Sequence, residues 1–201
     1  KAFSKGPKAA VRVYGCDDVR EGVAVMWNEG VDVSITGNST NPTRFQHLVV
    51  VVADDALREH VRVRLASAGV NLARVRLVLT EYDDTWLRDS GPITQRDGDR
   101  FRLLDFHFTG WGGKFGASRD DLLIGALHAN SVFRNADHER IDFALEGGAI
   151  EVDGNGTLMS TLICLKQRHP AMDDAGLCEA LGKIFHVGHG FPSETEIDSR
   201  R

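Results

Sequence analysis

The chain has 201 residues, 42% of them hydrophobic, which is enough to bury the core of one ordinary domain. Its 24 basic residues against 29 acidic ones give a formal charge of −5, so the composition offers no basic surface for a nucleic-acid partner. No apolar run approaches the roughly 20 residues that span a bilayer, and the opening segment has no apolar signal core. We therefore expect a cytoplasmic protein that binds neither nucleic acid nor membrane.

Residues 1–44 show no regular pattern, and the first clear elements follow them. His47–Val52 is a continuous apolar run, mostly of β-branched residues, which predicts a strand buried on both faces. Asp54 stands at the N-cap of a helix with one apolar face, and Gly69 provides its stop. Arg74–Thr80 alternates basic and apolar residues and predicts a second strand.

Two hairpins are predicted further along the chain. Gly91–Gln95 and Phe101–Phe108 flank an Asp-Gly turn, which supplies the positive φ of a tight connection. Ala149–Val152 and Thr157–Leu162 flank a second Asp-Gly turn.

Two helices accompany these hairpins. Ser118–Asp121 resembles a capping box that starts the first helix. The second begins at Asp173 or Asp174 and stops at Gly182, and Lys183–Val187 is predicted as a short strand after it. Hairpins interspersed with helices favour a mixed α/β sheet over a strictly parallel one.

The first cluster of chemically active residues is Asp83–Pro92 (DDTWLRDSGP). It places three carboxylates, an indole and an arginine between two strands, where α/β proteins place ligand groups. Carboxylates bind a guanidinium through paired hydrogen bonds, and an aromatic face can cover the planar cation. Composition alone is also compatible with a polar loop in which Arg88 pairs with an aspartate and Trp86 fills a surface groove.

The second cluster is Leu145–Ile150 (LEGGAI), in which a carboxylate directly precedes two glycines. This pattern suggests a close backbone approach with Glu146 held at the entrance of a strand. The alternative is a flexible turn with a solvated glutamate.

Three blocks read together resemble the agmatine deiminase and bacterial, Porphyromonas-type peptidylarginine deiminase family. They are DDTWLRDSGP, FHFTGWGGKF and LEGGAIEVDGNGTLMSTLICL, which occur in order within roughly residues 45–190. The resemblance implies an α/β fold, the pentein five-bladed propeller of ββαβ-type modules, of which this chain would supply roughly the N-terminal half. It also implies that Trp111–Lys114 are structural.

The resemblance assigns roles to particular residues. Asp89 matches the catalytic carboxylate that grips and positions the substrate guanidinium, and Glu146 matches a second catalytic acid. Trp86 matches an aromatic residue of the substrate pocket. Asp84 is expected to contribute to substrate binding, with Arg88 as a supporting residue.

The chemistry implied by the resemblance is hydrolytic deimination. A cysteine thiolate attacks the guanidinium carbon, a histidine shuttles protons, ammonia leaves, and water hydrolyses the amidino-cysteine intermediate. The substrate would be agmatine, giving N-carbamoylputrescine on the route to putrescine and polyamines, or the side chain of peptidyl-arginine, giving citrulline. No metal and no organic cofactor are required, and the scattered Cys16, Cys164 and Cys178 show no zinc-binding spacing.

Two parts of this machinery do not match. A TDxHID-like block is echoed by Thr195–Asp198 but without its histidine, and His186 and His189 lie outside the motif. The nucleophile of the family is expected beyond residue 201. Cys164, in what the sequence predicts to be an apolar strand, and Cys178, on the last helix, are not expected to replace it.

The sequence therefore leaves two functional hypotheses open. The chain is either a truncated and inactive copy of a guanidinium deiminase, or a non-catalytic protein that binds guanidinium or polyamine cations with the carboxylate half of the pocket. We expect an unassigned segment at 1–44, a partial propeller domain at 45–190 and a departing tail at 191–201. Open propeller faces would favour self-association.

Overall fold

The computed structural model describes residues 21–26, 47–97, 100–133, 136–152 and 157–185. The chain divides into two compact units, Lys1–Gly148 and Ala149–Arg201. The elements of the first unit are, in chain order, β1 (Glu21–Met26), β2 (His47–Val52), α1 (Asp55–Ser67), β3 (Val75–Leu79), α2 (Leu87–Ser90), β4 (Ile93–Asp97), β5 (Arg100–His107), α3 (Gly110–Gly113), α4 (Leu123–Ala129) and β6 (Ala136–Ala144). Those of the second unit are β7 (Ile150–Val152), β8 (Leu158–Ser160), α5 (Leu162–Arg168) and α6 (Asp174–Phe185).

The described residues form three small sheets, which combine parallel and antiparallel pairs. β1, β2 and β3 form a parallel sheet in that order. In the second sheet β4 and β5 form an antiparallel hairpin, and β6 adds to β5 in parallel. β7 and β8 form an antiparallel pair. The mixed α/β architecture and both hairpins predicted from the sequence are confirmed, although the tips of the two turns lie outside the described residues.

The central strand β2 is buried on both faces, as its apolar run predicts. Because side chains alternate along a strand, its even-numbered residues from Leu48 to Val52 pack with Val61 and Leu65 of α1. Its odd-numbered valines face the other way, in a cluster that includes Leu87 of α2 and the buried face of α4. The core thus anchors the short helix α2, which carries the Trp-Leu-Arg-Asp sequence.

Both predicted ends of helix α1 are present. The Asp54 carboxylate accepts a hydrogen bond of 2.7 Å from the Leu57 N–H, which satisfies a free donor of the first turn. Gly69 follows the helix with a φ of +74°, a conformation that glycine adopts without steric cost.

A buried ionic network joins β5 to β6. Asp105 is 3% exposed. Its carboxylate lies 2.7 Å from His138 Nε2 and accepts a 3.0 Å bond from Arg140. Arg140 also donates to the Asp121 carboxylate at 2.6 Å. Charged side chains of β6 are therefore partners of a buried aspartate, which explains why a strand that reads ADHERIDFA was not predicted from apolar periodicity.

A second buried aspartate fixes the loop that follows β3. Asp120 is 2% exposed, and its carboxylate accepts hydrogen bonds from the backbone N–H groups of Asp83 at 2.8 Å and Asp84 at 3.1 Å. In return the Asp83 carboxylate accepts a 2.9 Å bond from the Arg119 N–H. Burial raises the pKa of Asp120 to about 6, the nearby charges of Asp83 and Asp84 add to the rise, and the two N–H bonds oppose it.

The predicted capping box at Ser118–Asp121 was wrong. The Asp121 carboxylate accepts a 2.6 Å bond from the Phe108 N–H and pairs with Arg140 instead of capping a helix. A 3₁₀ turn, Asp120–Leu122, leads directly into α4, whose first residue is Leu123. The tertiary partners of Asp121 outweigh the local cap.

Two predictions in the second unit were also wrong. The strand predicted to continue to Leu162 ends at Ser160, and the apolar residues that follow form helix α5, which carries Cys164. Short apolar runs do not distinguish strand from helix by periodicity alone. Helix α6 continues past Gly182 to Phe185 where a strand was expected from Lys183, since one interior glycine costs only about 1 kcal/mol. Residues 186 and 187 of that predicted strand lie outside the described residues.

The Asp105 network leads to a stability prediction. Asp105→Ala leaves Arg140 partly buried without one of its carboxylates, and we expect a loss of about 3 kcal/mol in the free energy of unfolding measured with urea. Glu139→Ala is the matched control, because it removes an ion pair between the same two strands, that of Glu139 with Arg102, whose side chains are 44% and 35% exposed. We expect the control to cost no more than about 1 kcal/mol. Equal losses in the two variants would contradict the account.

The raised pKa of Asp120 leads to a pH prediction. Its folded-state pKa of about 6 lies above the ordinary value of 3.8, so the folded protein binds this proton more tightly than the unfolded chain does. The contribution of Asp120 to the free energy of unfolding is therefore greatest below its ordinary pKa and is lost as the pH rises through about 6. Relative to Asp120→Asn, we expect the free energy of unfolding to fall by up to about 3 kcal/mol between about pH 4 and about pH 6.5. The assignment of a raised pKa to Asp120 would be overturned if the free energy of unfolding, relative to that of Asp120→Asn, stayed constant or grew over this range.

Candidate functional site

Helix α2 sets the directions of the side chains in the first cluster. The N–H groups of Asp89 and Ser90 donate to the Trp86 carbonyl at 2.9 and 3.2 Å, which closes a single turn. Leu87 and Ser90 point into the protein, whereas Trp86 is 48% exposed. The single turn leaves Asp89 half-buried, between the core side and the exposed side of α2.

Asp89 receives hydrogen bonds from two other segments of the chain. The indole N–H of Trp111 donates to its Oδ2 atom at 3.2 Å, and the backbone N–H of Gly148 donates to the same carboxylate. Burial raises the pKa of Asp89, and the two hydrogen bonds together with the charge of Arg88 oppose that rise. The carboxylate is therefore partly desolvated and held by two neutral donors.

The two glycines of the second cluster are required by this contact. A Cβ atom on Gly148 would lie 2.0 Å from Asp89 Oδ1, and one on Gly147 would lie 2.4 Å from the Arg88 carbonyl oxygen. Neither site has room for a side chain, since the backbone itself lies against α2. The close backbone approach suggested by the sequence is thus present, and its target is the first cluster.

The segment that donates to Asp89 carries a further carboxylate, which is almost completely buried. Glu146 directly precedes the two glycines and is 3% exposed. It follows β6, where the Leu145 N–H donates to the His107 carbonyl at 3.3 Å. The end of β6 therefore brings the Glu146-Gly147-Gly148 segment to α2.

Trp111 lies in α3, a single turn whose backbone departs from helical geometry. Its φ is +60°, and the preceding Gly110 has a φ of +62°. A Cβ atom on Gly110 would lie 2.2 Å from the Phe115 carbonyl oxygen. The indole meets the rings of Trp86 and Phe108 edge-on, with centroids 6.3 and 5.1 Å apart.

Trp111 is the site residue that the sequence missed. The resemblance implied only a structural role for Trp111–Lys114, yet the indole hydrogen-bonds the predicted catalytic carboxylate. A tryptophan inside a glycine-rich turn was the available signal. Nothing in the linear sequence indicates that this turn faces Asp89, 22 residues away.

Asp84 has a local role in the loop that leads into α2. Its Oδ1 atom accepts a 2.7 Å bond from the Thr85 N–H, while its own N–H donates to Asp120. This carboxylate shapes the backbone before Trp86. The substrate-binding role of Asp84 stays a prediction.

The two described cysteines lie in the second unit. Cys164 on α5 and Cys178 on α6 are free thiols and half-buried. Cys16, His186 and His189 lie outside the described residues. Within the described ranges, no group of three or more histidines, cysteines or carboxylates is placed to hold a metal ion. The described helices include none with the length and apolarity to cross a membrane.

The arrangement presents groups that suit a planar cation. A partly desolvated carboxylate offers paired acceptors to N–H groups, and the exposed indole of Trp86 next to Trp111 offers an aromatic surface. These are the contacts by which proteins recognise guanidinium groups.

The chain is similar in sequence to agmatine deiminases. It is 37% identical over 148 residues to the agmatine deiminase of Pseudomonas aeruginosa, which covers 69% of this chain and 38% of the relative. It is 36% identical over 147 residues to that of Stutzerimonas stutzeri, covering 65% of this chain and 39% of the relative. The matches thus span about two fifths of the length of these curated relatives.

Solved structures show the same fold. The agmatine deiminase of Enterococcus faecalis superposes with a TM-score of 0.67 at 24% identity, over 82% of this chain and 48% of that one. The agmatine deiminase of C. jejuni gives a TM-score of 0.63 at 20% identity, over 82% and 49%. The predicted fold is confirmed: the chain has the α/β pentein fold and corresponds to about half of such a propeller.

A family model decides the assignment. The model of the Porphyromonas-type peptidyl-arginine deiminases matches residues 30–191 and therefore includes all three sequence blocks. The chain belongs to the Porphyromonas-type peptidyl-arginine deiminase family.

Proposed function

We propose that this chain supplies the guanidinium-binding carboxylates of a hydrolytic deiminase. The observation that carries the proposal is the convergence of α2, the Trp111 turn and the Gly147-Gly148 segment on Asp89. A carboxylate that is partly buried and already hydrogen-bonded loses less freedom when it binds a cation. The family membership and the agmatine deiminases among the relatives support the same chemistry.

The proposed reaction replaces one guanidinium nitrogen by oxygen. Asp89 and Glu146 hold the cation charged and oriented, which keeps its carbon in place for attack by a cysteine thiolate. Ammonia leaves, and water hydrolyses the amidino-cysteine intermediate with the help of a histidine. These two carboxylates are the catalytic residues that we assign to this chain, and Trp86 and Asp84 complete the proposed substrate contacts.

We propose agmatine as the first substrate to test, because the similar proteins named above are agmatine deiminases. Peptidyl-arginine is the second, because the matching family model describes peptidyl-arginine deiminases. Both present the same guanidinium to Asp89. Ammonia release from each substrate, measured with the purified chain, tests the reaction. Ammonia release from agmatine that Asp89→Asn abolishes would support the proposal.

A second candidate function is non-catalytic binding of guanidinium or polyamine cations. This function requires only the carboxylate site. Its members, namely Asp89, Glu146 and the donors to Asp89, all lie in the first unit. Calorimetry with agmatine and putrescine separates the possibilities: binding of putrescine as tightly as agmatine supports this second function, whereas binding that requires the guanidinium supports the first. The absence of both binding and release would remove both candidates.

The first binding prediction concerns Asp89. Asp89→Asn removes the charge that pairs with the guanidinium, and we expect agmatine affinity to fall by about tenfold to one hundredfold, the range for a hydrogen bond to a charged group. Asp137→Asn makes the same charge change at an exposed position on β6 and should leave the affinity unchanged. Isothermal titration calorimetry measures both. Equal affinities for the Asp89 variant and the parent chain would refute the assignment.

The second binding prediction concerns Gly148. Gly148→Ala places a Cβ atom where Asp89 Oδ1 lies, so the carboxylate must move, and we expect agmatine affinity to fall at least about tenfold. Gly116→Ala is the control, because a Cβ atom there meets nothing within 4 Å. Far-ultraviolet circular dichroism should show both variants folded. Unchanged binding by Gly148→Ala would mean that the position of Asp89 does not matter.

A further inference from the structure

The sharpest unexplained feature of the site is the pair of donors to Asp89. The Trp111 indole donates to Oδ2, and the Gly148 segment lies against Oδ1, where an added Cβ atom would be only 2.0 Å away. Contacts at both oxygens fix the rotation of the carboxylate plane about its last bond. A carboxylate oxygen has two lone pairs, so each oxygen keeps acceptor capacity for a ligand.

We propose that Trp111 is a positioning residue of the guanidinium site, whose indole N–H orients the Asp89 carboxylate for the substrate. The proposal rests on the proposed function and deepens it. Trp111 acts through Asp89 and need not touch the reacting atoms.

The turn that carries Trp111 is built to hold the indole in one place. Bulky residues rarely adopt a positive φ, and the strain costs of order 1–3 kcal/mol. The φ of +60° at Trp111 is held by hydrogen bonds on either side. The Gly113 N–H donates to the Thr109 carbonyl at 2.8 Å, and the Gly112 N–H donates to the Thr109 hydroxyl at 2.9 Å. The backbone of Trp111 is strained and its side chain hydrogen-bonds the candidate catalytic acid, Asp89, which together indicate a functional constraint.

Aromatic packing alone does not explain the choice of tryptophan. The ring of Trp111 meets Phe108 and Phe115 edge-on, at centroid distances of 5.1 and 5.7 Å. Phenylalanine could make similar edge contacts. The indole N–H is what tryptophan adds, and its partner is Asp89.

The hydrogen bond has an electrostatic consequence that packing lacks. A donor to a carboxylate stabilises the charged form, and here it opposes the rise in the pKa of Asp89 that burial causes. The charged neighbour acting on Asp89 is Arg88, which lowers the pKa as well. Removal of the indole donor should therefore raise the pKa of Asp89 further. As the pH is lowered, the variant should therefore lose agmatine binding at a higher pH than the parent chain does. The reason is that the protonated acid no longer attracts the cation.

The experiment compares variants that separate the donor from the ring. Trp111→Phe removes the N–H and retains an aromatic side chain. A second variant carries 3-benzothienylalanine at position 111, in which sulfur replaces the indole N–H at nearly unchanged shape. Phe115→Leu is the packing control, because it removes a ring contact of Trp111 at a residue that is 46% exposed and leaves the N–H in place.

Two readouts are measured on each variant. The first is the pKa of Asp89 without ligand, from carboxyl carbon-13 NMR with the signal assigned by its absence in Asp89→Asn. The second is agmatine affinity by calorimetry across a pH series. We expect both position-111 variants to raise the pKa of Asp89, to weaken agmatine binding about tenfold near neutral pH and to shift the pH profile upward. Phe115→Leu should change neither readout appreciably.

The outcomes distinguish this inference from the proposed function. An unchanged Asp89 pKa in the benzothienyl variant, or an equal shift in Phe115→Leu, would overturn the positioning role even if the parent chain binds agmatine. Failure of the parent chain to bind agmatine would contradict the proposed function, while the ligand-free pKa still decides whether Trp111 holds Asp89.

Discussion

The candidate site depends on one constraint, which is that the carboxylate of Asp89 is partly buried against the backbone of a distant segment. Burial alone disfavours a charged carboxylate, so the surrounding structure has to supply donors. The Trp111 indole and the Gly148 N–H do so. The glycines at 147 and 148 and the left-handed turn at Trp111 follow from this requirement. Residues from each of the three sequence blocks, Asp89, Trp111 and Gly148, thus meet at one contact.

Two buried aspartates elsewhere in the fold help to position the segments that meet at Asp89. Asp105 joins β5 to β6, and the end of β6 leads through Leu145 to the glycine segment. Asp120 holds the backbone of the loop that leads into α2. Both aspartates are almost completely buried and act on backbone or on strand partners rather than on solvent. The position of the candidate catalytic acid therefore rests on structural acids that a list of motifs does not reveal.

The sequence predicted what depends on local pattern. The apolar run of β2, the cap at Asp54 and the strand pairs of both hairpins follow from side-chain periodicity and turn chemistry, and the structure contains them. Strand β6 and the partners of Asp121 were missed, because their charged residues are satisfied by residues distant in sequence. Asp89 and Glu146 were predicted as site residues from the resemblance, and Trp111 was interpreted as structural. Only the folded chain shows that its indole reaches Asp89.

The most direct test of the central claim is a crystal structure of this chain with agmatine. The account predicts that guanidinium nitrogens lie within about 2.7–3.1 Å of the Asp89 carboxylate, while the Trp111 and Gly148 hydrogen bonds to that carboxylate are retained. Agmatine bound elsewhere, with Asp89 in contact only with protein groups, would contradict the assignment of this carboxylate as the guanidinium-binding group.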